Sequence, residues 1–376
     1  MNMNLYHTNF QYIFHTELYN SLKNEKLDLS YCDKTKISLH VPIDLNEDIL
    51  NLYSNLKNGT NEPYSRFYGC TSFINVFCDM PKAVERISKA IEQNEKILVY
   101  GDFDADGVTS TATLLKTFKY LGANVDYYIP HREKEGHGIN FANFIPILKG
   151  EKKPKLIITV DCGISNASEV DMIKTFGIDV IITDHHEPPE VLPKAVAIIN
   201  PKANDALSEK LTAKQIESYT SLAGVGVAFK LAHALLEHYD KTEFIKEILP
   251  FVAVGTISDI VPLVGENRYF VTKGLELISK QEHYGLKRLL EESGCKFDAP
   301  ITSENIAFGV TPRINASGRL ETVEDALKVL VSEGDQVAEN EPMFVIEAMK
   351  METEIKSPAA GIVKSVVVSA GDKVET

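Results

Sequence analysis

The sequence lacks the features that mark membrane-bound and secreted proteins. No run of roughly 18 or more apolar residues occurs in its 376 residues, so we expect no transmembrane helix. The start, MNMNLYHTNFQYIF, has no basic segment followed by an apolar one, so we expect no secretory signal. A hydrophobic fraction of 44% and a charged fraction of 24% are ordinary for a globular chain of two or three domains. We therefore predict a cytoplasmic protein without a membrane partner.

Cysteine pairs are also lacking. The chain has five cysteines, an odd number, and none of them belongs to a CxxC motif. This usage fits a reducing compartment and argues against a zinc knuckle. The cysteines are Cys32, Cys70, Cys78, Cys162 and Cys295.

Positive charge is scarce, with 39 Lys and Arg against 53 Asp and Glu and a net charge of −14. This balance argues against a broadly basic surface for nucleic acid. It leaves open a local basic groove. It also leaves open a site that binds phosphate through metal ions, because clustered carboxylates hold such ions.

Alternating strands and helices are the main pattern between residues 81 and 262. The apolar runs Lys96–Tyr100, Leu156–Val160 and Asp179–Thr183 predict buried strands, and polar residues follow each of them. Such βαβ units predict an α/β fold with a parallel sheet, whose ligands bind beyond the carboxyl ends of the strands. Further predicted strands are Val125–Ile129 and Ala195–Asn200, and the predicted helices are Lys82–Gln93, Thr109–Leu121, Ser165–Phe176 with a Ser at the N-cap, Leu222–Tyr239, Phe244–Asp259, Tyr269–Leu277 and Leu286–Glu292.

Three other segments complete the predicted organisation. Residues 1–80 show weak periodicity and stay unassigned. Residues 263–326 are expected to form a helical connector that includes a loop-rich stretch, Gly309–Leu320. From residue 327 onward, the string VLVSEGDQV recurs as VVVSAGDKV, which predicts two copies of strand, Gly-Asp turn and strand. Residues 327–376 are therefore predicted to be a small all-β unit.

Acidic residues cluster in the loop after the first predicted strand. The D-x-D-x-D-G spacing of Asp102, Asp104 and Asp106 can aim several carboxylates at one point. The helix start that follows offers backbone N–H groups to an anion. Alternative interpretations are a solvated acidic turn or a single calcium loop.

Further candidate ligands follow other apolar segments. Asp161 comes after the second buried strand, His185 and His186 come after the third, and Asp259 lies within an apolar run. Carboxylates with imidazoles suit manganese, magnesium or iron. We expect the clusters to converge on a two-metal centre that Asp161 bridges, with a His as general acid or phosphate ligand. Alternatively, the His pair caps a helix or packs in the core, and Asp259 is an exposed carboxylate at a helix end.

These clusters and the residues around them resemble the DHH phosphoesterase superfamily and, within it, the RecJ family of single-strand-specific 5′→3′ DNA exonucleases. The resemblance covers about residues 80–325. The matching stretches are YGDFDADGVTSTATL, YYIPHREKEGHGIN, ITVDCGISN, IITDHHEPPE, AIINPK, LAGVGVAFKLAHAL, VAVGTISDIVPLVGENR and PRINASGRL.

The resemblance implies roles for individual residues. Those implied to bind two manganese or magnesium ions are Asp104, Asp106, Asp161, His185 and Asp259. Asp102 and His186 would complete the catalytic site around the attacked phosphate. Those implied to contact phosphate or nucleic acid are Ser110, Arg132 in a loop with Gly136 and Gly138, Arg313, Asn315 and Arg319. Guanidinium groups bind phosphate in a bidentate way, although without the resemblance these arginines are equally well explained as surface residues.

The tail departs from this pattern. In the family, PRINASGRL precedes a domain that carries a GGGH motif and closes the cleft, and this sequence has no such motif. The tail instead resembles part of a biotinyl domain of the biotin carboxyl carrier type. Its EAMKM motif implies covalent biotin at Lys350 and a biotin protein ligase as partner. The alternative is an unmodified surface lysine.

Four functions compete at this stage. The leading one is a metal-dependent phosphodiesterase that degrades single-stranded DNA from its 5′ end. The second keeps the chemistry but acts on short oligonucleotides or cyclic dinucleotides. The third is a biotin carrier through Lys350. The fourth is a binding module without activity, against which the intact acidic set argues.

Overall fold

The computed structural model describes residues 76–141, 145–147, 153–203, 206–207, 211, 213–280, 283–318, 323–331, 336–337, 342–348, 351–356 and 361–362. All of them lie in one of the two units into which the chain divides, Ser72–Thr376. Most of the unassigned N-terminal segment, together with Arg319 and Lys350, lies outside the described residues.

A five-stranded parallel sheet organises the described chain, with the strand order β2-β1-β3-β4-β5. Every residue of β1 and β3 is buried, which explains why both are unbroken apolar runs. The predicted α/β class with a parallel sheet is confirmed. The strands are β1 Ile97–Gly101, β2 Val125–Tyr128, β3 Leu156–Val160, β4 Asp179–Thr183 and β5 Ala197–Ile199.

Helices cover both faces of the sheet. The described helices are α1 Met80–Glu92, α2 Ala105–Tyr120, α3 Arg132–Glu135, α4 Ala167–Thr175, α5 Ala213–Thr220, α6 Gly224–His238, α7 Ile245–Ser258, α8 Gly265–Ser279, α9 Tyr284–Glu292, α10 Thr311–Ser317 and α11 Val323–Val331. Helices α2 and α6 pack on one face, and α4 packs on the other through Val170 and Ile173. None of the described helices has both the length and the apolar character needed to cross a membrane.

Several helix starts differ from the prediction by one to four residues, and those of α2 and α4 have a local cause. Helix α2 begins at Ala105, four residues before the predicted start, because the Asp104 side chain caps it by accepting from the N–H groups of Asp106 and Gly107. Helix α4 has Asn166 rather than a serine at its N-cap position, and the Asn166 side chain accepts from the backbone of Ile139 instead of capping the helix.

The described part of the stretch predicted to be loop-rich is helical as far as Ser317. A π-helical turn, Asn305–Val310, leads directly into α10. Pro312 lies in the first turn of α10, where the missing N–H costs no hydrogen bond. Ile306, Val310 and Ile314 are buried four residues apart, a helical spacing that the intervening Gly and Pro obscured.

The first strand of the predicted β repeat is also helical. Residues Val329–Val331 belong to α11, whose Val323, Leu327 and Leu330 enter the same apolar core as α2 and α7. The predicted boundary between residues 326 and 327 therefore falls inside this helix.

Two antiparallel strand pairs follow α11. Strand β6, Gln336–Val337, pairs with β9, Gly361–Ile362, and β7, Pro342–Ala348, pairs with β8, Met351–Lys356. The register brings Ala348 opposite Met351, with two residues of the chain between them. A β-rich tail is therefore confirmed from residue 336 onward within the described residues.

Candidate metal centre

Three neighbouring strands bring the candidate ligands to one edge of the sheet. Gly101 at the end of β1 pairs with Val160 of β3, and Val160 pairs with Thr183 of β4. The next residues along the chain are Asp102, Asp161 and Asp184, so their backbones emerge side by side. The convergence expected from the sequence therefore follows from the register of the sheet.

The loop after β1 presents Asp102 and Asp104. Asp102 is almost fully buried, and its Oδ1 accepts from the N–H of Phe103 at 2.8 Å. Asp104 is partly exposed, with Oδ1 committed to the start of α2. At least one oxygen of each of Asp102, Asp104 and Asp161 lies within 4.8 Å of an oxygen of the other two, so these three carboxylates can meet at one cation.

The start of α6 holds Asp106. The N–H groups of Gly224 and Val225 donate to the two oxygens of this buried carboxylate at 2.7 and 2.9 Å. A carboxylate oxygen has two lone-pair positions, so both oxygens keep capacity for a cation. Gly224 also makes room for Asp161, because a Cβ at this position would lie 2.3 Å from Asp161 Oδ1. The motif LAGVGVAF thus places a helix N-terminus directly against two acidic residues.

Asp161 occupies a backbone conformation that few residues tolerate. Its φ of 58° is left-handed, where Asp and Asn are enriched among residues other than glycine. Its Oδ1 is buried and has no hydrogen-bond partner, while His185 Nε2 lies 3.2 Å away. A strained residue with an unsatisfied buried oxygen is typical of a ligand site.

The three residues of the Asp184-His185-His186 triplet have different roles: Asp184 accepts hydrogen bonds, and each histidine keeps one ring nitrogen for a ligand. Asp184 is buried and accepts from the N–H groups of Ile164, His185 and His186 and from His186 Nδ1 at 2.7 Å. His185 Nδ1 lies 3.1 Å from the carbonyl oxygen of Leu222, so donation there fixes the tautomer and leaves Nε2 free for a cation. His186 is half exposed, with Nε2 as its remaining ring nitrogen.

Asp259 reaches the centre from the end of α7. Its Oδ2 lies 3.7 Å from His185 Nδ1 and is a second buried oxygen without a hydrogen-bond partner. The next residue, Ile260, has a φ of 58° and is 88% exposed, an unfavourable combination for a β-branched side chain. The chain therefore bends sharply at the point where Asp259 turns toward the carboxylates.

Electrostatic repulsion among the carboxylates is visible in their pKa values. Burial raises the pKa of Asp106 and Asp161 well above the usual range, and Asp259 and Asp106 respectively raise these values further. Burial and then Asp104 raise the pKa of Asp259 to about 6. Burial lowers the pKa of His185 to about 4, which keeps this ring neutral and able to ligate. The hydrogen bond to Asp184 raises the pKa of His186.

The donor set fits divalent cations. Three groups offer ligand atoms within 4.8 Å of one another: Asp161 with His185 and His186; Asp106 with His185 and Asp259; and Asp102 with Asp104 and Asp161. Carboxylate oxygens with one or two imidazoles are donors that suit manganese or magnesium. The two orphaned buried oxygens of Asp161 and Asp259 are what bound cations would satisfy.

The residues expected to meet phosphate occupy different places. Arg132 is exposed and lies 5.2 Å over the ring of Phe103 beside Asp102. Asn315 Oδ1 accepts from the N–H of Ala105 at 2.8 Å, so it ties α10 to the start of α2. Arg313 is exposed and donates to the carbonyl oxygens of Gly309 and Glu292. Neither acceptor belongs to the loop after β1. Ser110 is fully buried, and its Oγ has no partner.

Some residues of the centre were not singled out from the sequence. The sequence gives Asp184 no role of its own, although it orients His186. It also gives none to Gly224 and Val225, whose N–H groups bind Asp106. His137 Nδ1 lies 3.2 Å from Asp102 Oδ2. The one signal for these residues was their position inside matching stretches, because their neighbours in space are far away in the chain.

Comparison with known proteins identifies two segments. Residues 96–256 match the family described as DHH family, N-terminal domain. Residues 313–376 match the family described as Biotin-requiring enzyme. The second match begins before the predicted boundary at residue 327 and includes helix α11, Val323–Val331.

Curated relatives share the first segment. The single-stranded-DNA-specific exonuclease RecJ of Bacillus subtilis (strain 168) is 46% identical over 260 residues, which are 69% of this chain and 31% of that protein. The RecJ of Escherichia coli (strain K12) is 37% identical over 265 residues, 66% of this chain and 43% of that protein. The chain therefore spans less than half the length of these relatives.

Solved structures share the fold. A crystal structure of exonuclease RecJ bound to manganese has a TM-score of 0.59 at 35% identity and covers 68% of this chain and 62% of that chain. RecJ of Thermus thermophilus in complex with Mn²⁺ has a TM-score of 0.57 at 34% identity, over 68% of this chain and 35% of that chain. The resemblance predicted from the sequence is confirmed: residues 96–256 match the DHH family, N-terminal domain, and 69% of the chain is similar to the RecJ exonuclease of Bacillus subtilis.

Proposed function

We propose that the chain is a metal-dependent phosphodiesterase that hydrolyses single-stranded DNA from its 5′ end. One observation carries the proposal: seven side chains predicted as ligands or catalytic groups lie in three mutually adjoining groups at one sheet edge. The similarity to proteins named single-stranded-DNA-specific exonuclease supports the choice of substrate. The two segments of residues 81–262 and 263–326 would form the catalytic unit.

The residues divide the chemistry between them. Asp104, Asp106, Asp161, His185 and Asp259 would hold two Mn²⁺ or Mg²⁺ ions, with Asp161 shared because it belongs to two of the three groups. Such ions supply charge neutralisation on phosphoryl oxygens and an activated water. His186, oriented by Asp184, would place its Nε2 toward the phosphate. Asp102 would face the same phosphate from the β1 loop.

Phosphate contacts away from the ions are assigned to arginine and PRINASGRL residues. Arg132 is exposed beside Phe103, and Arg313 and Asn315 lie on α10. Ser110 and Arg319 are retained as implied contacts, the former buried and the latter outside the described residues.

The test measures nucleotide release by the full chain from a 5′-phosphorylated single strand with Mn²⁺. The matched control is Asp161→Asn, which removes the charge while Asn tolerates the same left-handed backbone. We expect release by the wild type and loss in the variant. Absence of release by the wild type from long strands, with release from dinucleotides or cyclic dinucleotides, would favour the short-substrate alternative.

A second function is proposed for the tail, namely covalent biotin carriage by Lys350. The match of residues 313–376 to Biotin-requiring enzyme and the pairing of Ala348 with Met351 on either side of Met349 and Lys350 favour it. Expression with a biotin protein ligase and a streptavidin blot tests the proposal, with Lys350→Arg as control. A band that persists in the control, or no band in the wild type, excludes it.

A further inference from the structure

A loop between β2 and β3 places His137 against the metal centre. Its Nδ1 lies 3.2 Å from Oδ2 of the buried Asp102, and its ring packs on Phe103 at 4.5 Å between centroids. The side chain is otherwise 67% exposed. No role for this residue was derived from the sequence.

The loop is shaped for this contact. Gly136 and Gly138 on either side of His137 both have a φ of 75°, a conformation that favours glycine. The carbonyl oxygen of Gly138 accepts from the Tyr100 hydroxyl at 2.9 Å, and a Cβ on Gly138 would lie 2.6 Å from Asn166 Oδ1. The imidazole is thus carried by a backbone that β1 and the start of α4 hold in place at the sheet edge.

Both oxygens of Asp102 are then engaged. Oδ1 accepts from the N–H of Phe103 and Oδ2 faces His137 Nδ1, so the carboxylate plane is fixed from two directions. A neighbour that orients a ligating or catalytic carboxylate typically changes affinity or activity by about 10- to 100-fold when removed. Without His137, the Asp102 carboxylate would be held at Oδ1 alone and could rotate.

We propose that His137 is a positioning residue whose Nδ1–H donates to Asp102 and holds that carboxylate toward the reacting phosphate. The inference rests on the proposed phosphodiesterase function. It concerns a hydrogen bond in the resting protein, so it can be tested without turnover as well as with it.

The kinetic test compares His137→Ala, His137→Asn and His137→Gln in the full chain on single-stranded DNA with Mn²⁺. An Asn amide nitrogen reaches the place of Nδ1, whereas a Gln amide nitrogen reaches the place of Nε2. We expect Ala to lower kcat about 10- to 100-fold with KM and Tm unchanged. Asn should restore most of the loss and Gln should not. An unchanged kcat in the Ala variant, or rescue by Gln instead of Asn, would overturn the proposal.

A second measurement does not depend on activity. ¹⁵N-histidine NMR of the full chain with Mg²⁺ reports which ring nitrogen of His137 carries the proton, with His137→Gln identifying the signal. We expect the Nδ1–H form in the wild type and its loss in Asp102→Asn. The Nε2–H form in the wild type would refute the inference even if exonuclease activity is found, and the Nδ1–H form would sustain it even if that activity is absent.

Discussion

At the scale of single residues, the centre depends on unusual backbone conformations and on one close approach to a glycine. Asp161 and Ile260 adopt positive φ beside the site, and Gly224 leaves the space that the Asp161 carboxylate occupies. The types of the ligand residues were predictable from their spacing and from the resemblance. The backbone strain and the approach of Gly224 were not, because they depend on the packing of α6 against β3.

Gly224→Ala tests this close approach. Its Cβ would lie 2.3 Å from Asp161 Oδ1, whereas a Cβ on Gly226 meets the side chain of Leu222, with Cδ2 nearest at 3.1 Å. Since misplacement of a reacting group by about 1 Å can cost about 100-fold, we expect Gly224→Ala to lower kcat by this order. Gly226→Ala is the matched control in the same helix, and comparable losses in both variants would contradict the argument.

Stability should depend on pH and metal together. The carboxyl of Asp259 has a native pKa of about 6, raised above its unfolded value of about 3.9, so the metal-free protein loses stability as pH rises through this window. Bound Mn²⁺ would replace the lost protons. We therefore expect Mn²⁺ to raise Tm more at about pH 7.5 than at about pH 5.

Thermal unfolding at both pH values, with and without Mn²⁺, measures this difference. Asp259→Asn serves as control, since it removes the titrating group and should flatten the dependence. Equal stabilisation by Mn²⁺ at the two pH values would show that these carboxylates do not take up the ions.

At the scale of elements, the short apolar runs predicted the site-bearing strands well. β3 and β4 have the predicted bounds, and β1 extends one residue beyond its predicted end. Helical segments interrupted by Gly and Pro are predicted less well: α10 falls in the stretch predicted to be loop-rich, although Val310 and Ile314 are buried at helical spacing. A strand that is buried on both faces is an unbroken apolar run, which is easy to recognise in a sequence. A short helix that contains Gly or Pro lacks such a signal and is recognised only from its tertiary contacts.

Asn267 joins two loops beside the metal centre. It is fully buried in α8, and its Nδ2 donates to the carbonyl oxygens of Ser221 and Pro262, on the loops before α6 and after Asp259. An unsatisfied buried carbonyl costs about 1–3 kcal/mol, so Asn267→Ala should lower the free energy of unfolding by about 2 kcal/mol.

Denaturant unfolding measures the Asn267 effect. The control is Asn124→Ala, because Asn124 is exposed and makes a 3.5 Å contact with a backbone carbonyl. We expect the control to change stability by less than about 0.5 kcal/mol. A small effect of the Asn267 variant would mean that the two loops are held by other contacts.

At the scale of the whole molecule, α11 shares a core with the helices that cover the sheet, and we propose that the catalytic part of the chain extends to its end. Its Leu327 and Leu330 are 0% and 2% exposed and pack in the core with α2 and α7. The sequence could not show this, because VLV next to a Gly-Asp turn matches the β repeat downstream. Only the contacts of Leu327 and Leu330 with α2 and α7 show that these residues belong to the helical part of the chain.

Truncation tests this assignment. A chain that ends at Val331 should keep the thermal transition of its catalytic part, whereas a chain that ends at Thr322 loses Val323, Leu327 and Leu330 from the core. Burial of each side chain of this size contributes about 1.5–3 kcal/mol, so the free energy of unfolding of the shorter chain should be lower by several kcal/mol. Equal Tm values would place the boundary at or before residue 322.

The most direct test of the central claim locates the ions. Anomalous diffraction at the manganese edge from crystals of the full chain grown with Mn²⁺ would place each ion against named side chains. We predict two peaks about 3.5–4 Å apart, both contacted by Asp161, with Asp106, His185 and Asp259 around one of them. Manganese peaks away from these residues, or none at the ends of β1, β3 and β4, would contradict it.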